Sequence, residues 1–238
     1  MAEVPYFISL EEALKITKTV DLNIQSEVVD LDNAHGRILY DGLSAKVDDP
    51  PFDNSAMDGF AVIFSETKST PVELSIIGVS NAGSDNLPEL SSGQAMKIMT
   101  GAPIPKGADS IIPIEKCTIN GEKVTLNEQS KPHFIRKKGE NFTKNSVLFE
   151  PGEILTPEKI SLCAAAGVNK LTVYQKLKVA IIPTGDELKP LSEELEFGEI
   201  YESNSYGLSA LISSLGYEAT RFSTVVDNLD TLRETLNF

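Results

Sequence analysis

The chain has 238 residues, 41% of them hydrophobic and 24% charged, with a formal charge of -14; it is long enough for one large domain or two to three small ones and reads as globular. A pI near 4.6 argues against general nucleic-acid or anionic-membrane binding, because phosphate contacts need clustered Lys and Arg. No run reaches the ~18 consecutive apolar residues of a membrane span, and the opening MAEVPYFISLEEAL lacks the basic start and apolar core of a signal peptide, so a cytoplasmic location is expected.

In chain order, Ser9 and Glu12 stand at capping-box spacing, and Leu10, Ala13, Leu14, Thr17 and Val20 share one helical face, which predicts an amphipathic helix over 9–20. From about Leu43 to Leu126 the pattern becomes short β-rich runs, Val72 to Ile77, Ala95 to Met99 and Ser110 to Ile114, punctuated by Gly and Pro. Asn120-Gly121 between the short runs of Cys117 to Leu126 predicts a hairpin. Thr156, Pro157 and Glu158 predict a helix start, and Gly167 its stop. Beyond Lys178 come a strand (Val179 to Ile182), a helix stopping at Gly216, a strand (about Glu218 to Val226) and a helix from near Asn228, the βαβα opening of a parallel α/β domain.

Parallel strands are normally buried on both faces, and two of them make no independent core. The last helical pattern (Leu229, Leu232, Leu236) runs to Phe238 without a Gly or Pro stop, so the chain is expected to be a fragment. Cys117 and Cys163 lack the spacing of a zinc site and read as small buried apolar residues. His35 and His133 stand alone and read as structural.

Some segments carry more chemistry than their neighbours. In FDNSAMDGFAV, Phe52 to Val62, Asp53-Asn54-Ser55 is fit to close an Asx-type turn, and Asp58 stands beside Gly59, a residue free to take positive φ. The Asp58 carboxylate there could bind a metal, orient a water or cap a turn. Arg136, Lys137 and Lys138 form the only compact basic run between Asn81 and Leu171: either a solvated face or the local positive field that an oxyanion requires. Glu187 and Asp227 directly follow the two parallel strands, where ligands of open α/β sheets gather. They read as a turn residue and a helix N-cap, or as two acids sharing one crevice. Such hard oxygen donors suit Mg²⁺.

FDNSAMDGFAV resembles the signature of the molybdopterin molybdenumtransferase family, which includes bacterial MoeA and the E domain of gephyrin. KIMTGAPIPKGAD (Lys97 to Asp109), IRKKGEN (Ile135 to Asn141), PTGDEL (Pro183 to Leu188), GEIYESN ending at Asn204, and Val226-Asp227 follow in the family's order. The family's later glycine-rich GGVS-type segment and C-terminal β-barrel have no counterpart here. The resemblance implies a mixed α/β and β, multidomain chain. Its parts are a β-rich insert subdomain at 44–142, a small linking α+β subdomain from 21–43 and 143–174, and the truncated first half of a parallel, molybdopterin-binding (MogA-like) α/β domain from 1–20 and 175–238.

The implied reaction inserts molybdate into adenylylated molybdopterin with release of AMP, and the fragment is expected to have little activity alone. Asp58, Glu187 and Asp227 are the expected catalytic residues, with Mg²⁺ on Glu187 and Asp227. Substrate contacts are expected from Asn54, Ser55, Thr100, Gly101, Arg136, Lys138, Gly139, Glu140, Asn141 and Asn204. Asn141 stands where some family members carry Asp; an amide can hydrogen-bond but cannot ligate a cation as a carboxylate does. The resemblance also implies an elongated homodimer with a shared active site, so that Asp58 and Glu187 meet across the interface. The alternatives are a protein-interaction or assembly module and a Mg²⁺-dependent phosphoanhydride hydrolase.

Overall fold

Most of the short β-rich runs become strands in the computed structural model, which describes residues 8–20 and 22–237. Residues 1–7, Asp21 and Phe238, on which the readings of the N-terminal segment and of the last residue fall, lie outside the described residues. In chain order the first elements are α1 (Leu10–Thr17), β1 (Ser26–Asp30), β2 (Leu43–Ser44), β3 (Asn54–Ser55), β4 (Gly59–Val62), β5 (Val72–Ser80), β6 (Gln94–Ile98), β7 (Ser110–Pro113), β8 (Cys117–Asn120) and β9 (Lys123–Leu126). There follow β10 (Ile135–Arg136), β11 (Val147–Phe149), α2 (Pro157–Ala165), β12 (Lys170–Tyr174), β13 (Lys178–Ile181), β14 (Leu188–Lys189), β15 (Ile200–Tyr201), α3 (Asn204–Ser214), β16 (Glu218–Arg221) and α4 (Leu229–Leu236). The chain divides into two compact units, one of Asp30–His35 and Asp41–Leu171, the other of the residues up to Val29, Gly36–Tyr40 and Thr172 onward.

The unit of Asp41–Leu171 is built on a six-stranded sheet in the order β7-β4-β6-β5-β9-β8. Side chains alternate across a strand, and β4 is buried along its whole length, so it serves two cores. Phe60 and Val62 pack with Leu74, Ala95, Ile112, Val124 and Leu126. Ala61 packs with Ile98, Ala102, Ile111 and Ile135. A buried chain of hydroxyls, Thr67 to Ser130 at 2.8 Å and Ser130 to Ser110 at 2.7 Å, fastens the segment leading into β10 to the sheet, beside the reciprocal backbone bonds of Ile111 and Lys131.

Three local expectations change. Asn120 pairs with Lys123, so the hairpin turns on Gly121 and Glu122 rather than on Asn120 and Gly121. Gly121 takes φ +61° as the first turn residue, the place a two-residue turn reserves for positive φ. Gly59 does not use the left-handed region; a Cβ there would stand 2.0 Å from the Ile112 carbonyl oxygen, so the glycine admits the close approach of β7. Likewise, Ser55 rather than an Asx residue closes the turn before it, its Oγ accepting from the Met57 N–H at 3.2 Å.

In the other unit, β13 and β16 pair in parallel, with Lys178 opposite Glu218 and Ile181 opposite Arg221. The strand expected to continue to Val226 ends at Arg221 because its partner ends at Ile181; one further bridge joins Thr184 and Val225. Helix α1 keeps its capping box but stops at Thr17, with the Thr17 and Thr19 hydroxyls also donating to the carbonyls of Leu14 and Ile16 at its last turn. Leu10 and Leu14 on α1, Leu208 and Leu211 on α3, and Leu229 and Leu236 on α4 are exposed. Among the described residues no helix is long and apolar enough to cross a membrane.

Replacing Gly59 with Ala should destabilise the unit of Asp41–Leu171 by about 1–3 kcal/mol or more, because backbone must move to admit the methyl group. Gly78→Ala, where a Cβ meets nothing within 4 Å, should change stability by less than about 1 kcal/mol. Urea unfolding of the two variants checks the contrast; equal midpoints would show that β4 and β7 have room to separate.

Candidate functional site

Short strand β3 is the meeting point of the loops that carry the signature segments. The Ser55 N–H donates to the Ala102 carbonyl at 3.0 Å, and the Gly101 N–H donates to the Ser55 carbonyl at 2.8 Å. This docks the Thr100-Gly101-Ala102 turn on β3, and Gly101 supplies the φ of +78° that the turn needs. On its other edge β3 pairs with β10, Ser55 opposite Ile135 and Asn54 opposite Arg136. Asn54 is 8% exposed, and its carboxamide oxygen is buried without a hydrogen-bond partner among the described residues.

The docked turn aims two donors at one acid. The Thr100 N–H reaches Asp58 Oδ1 at 2.7 Å and the Thr100 hydroxyl reaches the same oxygen at 2.8 Å. Asp58 is exposed, and the two donors, the backbone N–H first, hold its carboxyl below the ordinary value of 3.8. It is therefore an anion at neutral pH. Oδ2 has no protein donor among the described residues, so it can accept from a water or a hydroxyl but cannot donate to an oxyanion.

The basic run is largely answered from within. Lys137 Nζ lies 2.7 Å from Asp53 Oδ2, and Lys138 Nζ lies 3.2 Å from Asp48 Oδ2. Glu140 accepts from the Lys137 N–H at 2.9 Å, and Asn141 donates to Asp49 Oδ2 at 2.6 Å. Gly139, at φ +72°, joins Asp49, Asn141 and Phe142 in the wall of an open pocket of about 690 Å³. Arg136 makes no ion pair among the described residues. The acids Asp48 and Asp49 were not among the residues the sequence singled out, and Asp53 was read only as part of a turn; the missed signal was the acid pair preceding Pro50.

In the other unit the two strand-end loops are laced together. The Gly185 N–H donates to the Val225 carbonyl at 3.1 Å, and the Val225 N–H donates to the Pro183 carbonyl at 2.9 Å. The side chain that spans them is Asp186, whose Oδ1 accepts the Asp227 N–H at 3.2 Å. The Glu187 carboxylate folds back over Gly185, its nearer oxygen 2.8 Å from where a Cβ would stand. These are the hard oxygen donors that Mg²⁺ takes. Among the described residues, however, no group of three His, Cys, Asp or Glu is placed to hold a metal, so a bound ion would complete its shell with water and ligand oxygens. Asn204 begins α3, where buried Glu202 caps the helix by accepting from the Ser205 N–H at 2.7 Å and the Ser205 hydroxyl at 2.5 Å.

Carboxyl-carbon NMR titration should place Asp58 below 3.8. Thr100→Val should raise it only part of the way, because the backbone donor survives. Since the folded value lies below the unfolded one, what this contact contributes to stability is present above the ordinary carboxylate range and is lost as pH falls through the folded value. An unshifted titration in Thr100→Val would mean that the hydroxyl bond is not made.

A family profile described as the MoeA N-terminal region (domain I and II) matches residues 8–167. The molybdopterin molybdenumtransferase of Haemophilus influenzae is 36% identical over 93% of this chain, which covers 55% of that protein. The protein of the same name from Nostoc is 35% identical over 92% of this chain, covering 51% of its own length. The chain thus spans about half the length of these relatives. A crystal structure of the molybdopterin biosynthesis MoeA protein from Pyrococcus horikoshii superposes with a TM-score of 0.84 at 33% identity, over 95% of this chain and 63% of that one. From its N-terminal signature segment to its strand-end loops, this chain belongs to the MoeA family.

Proposed function

We propose that the chain contributes the N-terminal part of a molybdopterin molybdenumtransferase site, which takes adenylylated molybdopterin and molybdate and releases AMP. The observation that carries the reading is Asp58, kept ionised and oriented by Thr100 on an exposed turn. An exposed carboxylate held by two donors and keeping one free oxygen is arranged to act on something outside the protein. Molybdate is itself an anion, so direct contact would be repulsive. In this reading Asp58 orients a water, or a hydroxyl of the ligand, and neither binds the metal oxyanion nor attacks as a nucleophile. Asn54, Ser55, Thr100 and Gly101 would border the substrate there, and Gly139, Glu140 and Asn141 would border it along the pocket beyond Arg136 and Lys138.

Bringing a phosphoanhydride and an oxyanion together requires charge compensation. In this reading Arg136 provides it on one side. Glu187 and Asp227 would hold a Mg²⁺ ion, which when bound polarises the phosphoanhydride and neutralises its charge. Asp186, by fixing the Asp227 backbone, sets the distance between the two loops. Asn204, at the head of α3, would contact the pterin nucleotide. Sulfur chemistry belongs to the pterin, so the protein's share is positioning and electrostatics. We further infer a homodimer with a shared site, and a division into the linking, insert and α/β subdomains set out from the sequence.

The relatives' shared name favours this reading over an assembly module or a hydrolase. The test is AMP release from adenylylated molybdopterin by a full-length protein carrying these residues. Release that requires molybdate is expected, and Glu187→Gln and Asp58→Asn should each reduce it by about 10²-fold or more, the scale at which loss of a transition-state contact is felt. Release without molybdate would identify a hydrolase, and binding of neither substrate would leave the assembly role.

A further inference from the structure

The three cations of the basic run are not equivalent. Arg136 has no carboxylate partner among the described residues, whereas Lys137 and Lys138 are paired with Asp53 and Asp48. The aspartates are the fixed members of these pairs. Asp53 Oδ1 also accepts the Lys138 N–H at 2.9 Å, and Asp48 Oδ1 also accepts the Lys144 N–H at 2.7 Å. The lysine side chains are long and 68% and 59% exposed, so an ammonium can leave while its carboxylate stays.

We propose that Asp53 and Asp48 determine the specificity of this anion site, withholding Lys137 and Lys138 from singly charged anions and yielding them to multiply charged ones. The inference rests on the reading above, that this run meets molybdate or the pterin phosphates. Its basis is an exchange. A ligand of charge -1 that takes an ammonium from a fixed carboxylate trades one unit attraction for another and gains almost nothing. A dianion gains twice the attraction at the same separation. Exposed ion pairs are weak enough for that difference to displace them, and Arg136 gives the incoming anion its first contact. Both aspartates remain charged at neutral pH. Lys137 holds the Asp53 carboxyl below its usual range, and the Lys144 N–H, followed by Lys138, does the same for Asp48.

The pairs have a second structural consequence. By tying β3 to the segment after β10, Asp53 also shapes the turn that carries Gly139, so a change there has to be separated from simple loss of fold. Asp53→Asn serves this purpose, because the amide oxygen still accepts the Lys138 N–H while the charge on Lys137 is released.

Calorimetric titration of the chain at low ionic strength, with sodium molybdate, sulfate and acetate as probes, tests the proposal. Asp53→Asn should bind molybdate and sulfate roughly two- to fivefold more tightly. It should also gain proportionately more for acetate, so that the dianion-to-monoanion ratio falls. Adding Lys137→Gln to it should cancel the gain, and Arg136→Gln alone should weaken every probe. Unchanged or weaker dianion binding by a folded Asp53→Asn variant, in a protein whose wild type does bind molybdate, overturns the guarding role alone. Failure of both wild type and variant to bind any oxyanion overturns it together with the substrate reading. Should Asp53→Asn not fold, Asp48→Asn makes the same measurement through Lys138, with the same expected and contrary results.

Discussion

A two-residue strand with loops on both edges is the constraint on which the signature segment depends. Buried backbone N–H and C=O groups must be paired, and Asn54 and Ser55 are buried in a place no long strand reaches. They pair with the Gly101-Ala102 backbone on one side and with β10 on the other. Loops that would otherwise wander are fixed by this need. Thr100 meets Asp58, and Arg136 lies opposite Asn54, because β3 has no other way to satisfy its backbone. A few residues on, β4 enters the main sheet with both faces buried, so the turn carrying Asp58 is anchored at its downstream end by two hydrophobic clusters.

Much of this was legible beforehand. Short β-rich runs punctuated by Gly and Pro marked β5, β6 and β7 to within a few residues, and each of these strands contributes side chains to the cores. The Thr156-Pro157 start and the Gly167 stop of α2 were equally clear. What was not legible depends on contacts between distant parts of the chain. Gly59 is a glycine because of Ile112, more than fifty positions later, and nothing near Gly59 announces that. The pairing of Lys137 with Asp53 likewise joins residues far apart in sequence, so a run that looked like free positive charge is mostly compensated. The hairpin turn moved by one residue because strand register, and not the Asn-Gly dipeptide alone, chose which residues turn.

The strand-end acids illustrate a different limit. Topology correctly brought the loops after β13 and β16 side by side, as parallel strands joined through a helix require. It did not say which side chain would span them. Asp186 does so, by accepting the Asp227 N–H, while the neighbouring Glu187 turns over Gly185. Loop direction follows from chain order, but side-chain direction follows from local backbone angles. Gly185, at φ +151°, takes a path at which a residue with a Cβ would collide with that same glutamate.

For the anion chemistry proposed above, an acidic protein has to work by direction and not by net charge. With a formal charge of -14, the long-range field repels an anion, and salt screens whatever remains of it beyond about 10 Å. Attraction therefore has to be short-range, supplied by single cations and N–H groups whose positions the fold controls. Backbone donors here are committed first to the protein's own carboxylates, at Asp48, Asp53 and Asp58 alike. Each such bond fixes a negative group beside its loop, which is what the proposed guarding of Lys137 and Lys138 relies on at Asp53 and Asp48. The cost is a weaker field, and the gain is that an anion has to present more charge, in the right place, than the carboxylate it displaces.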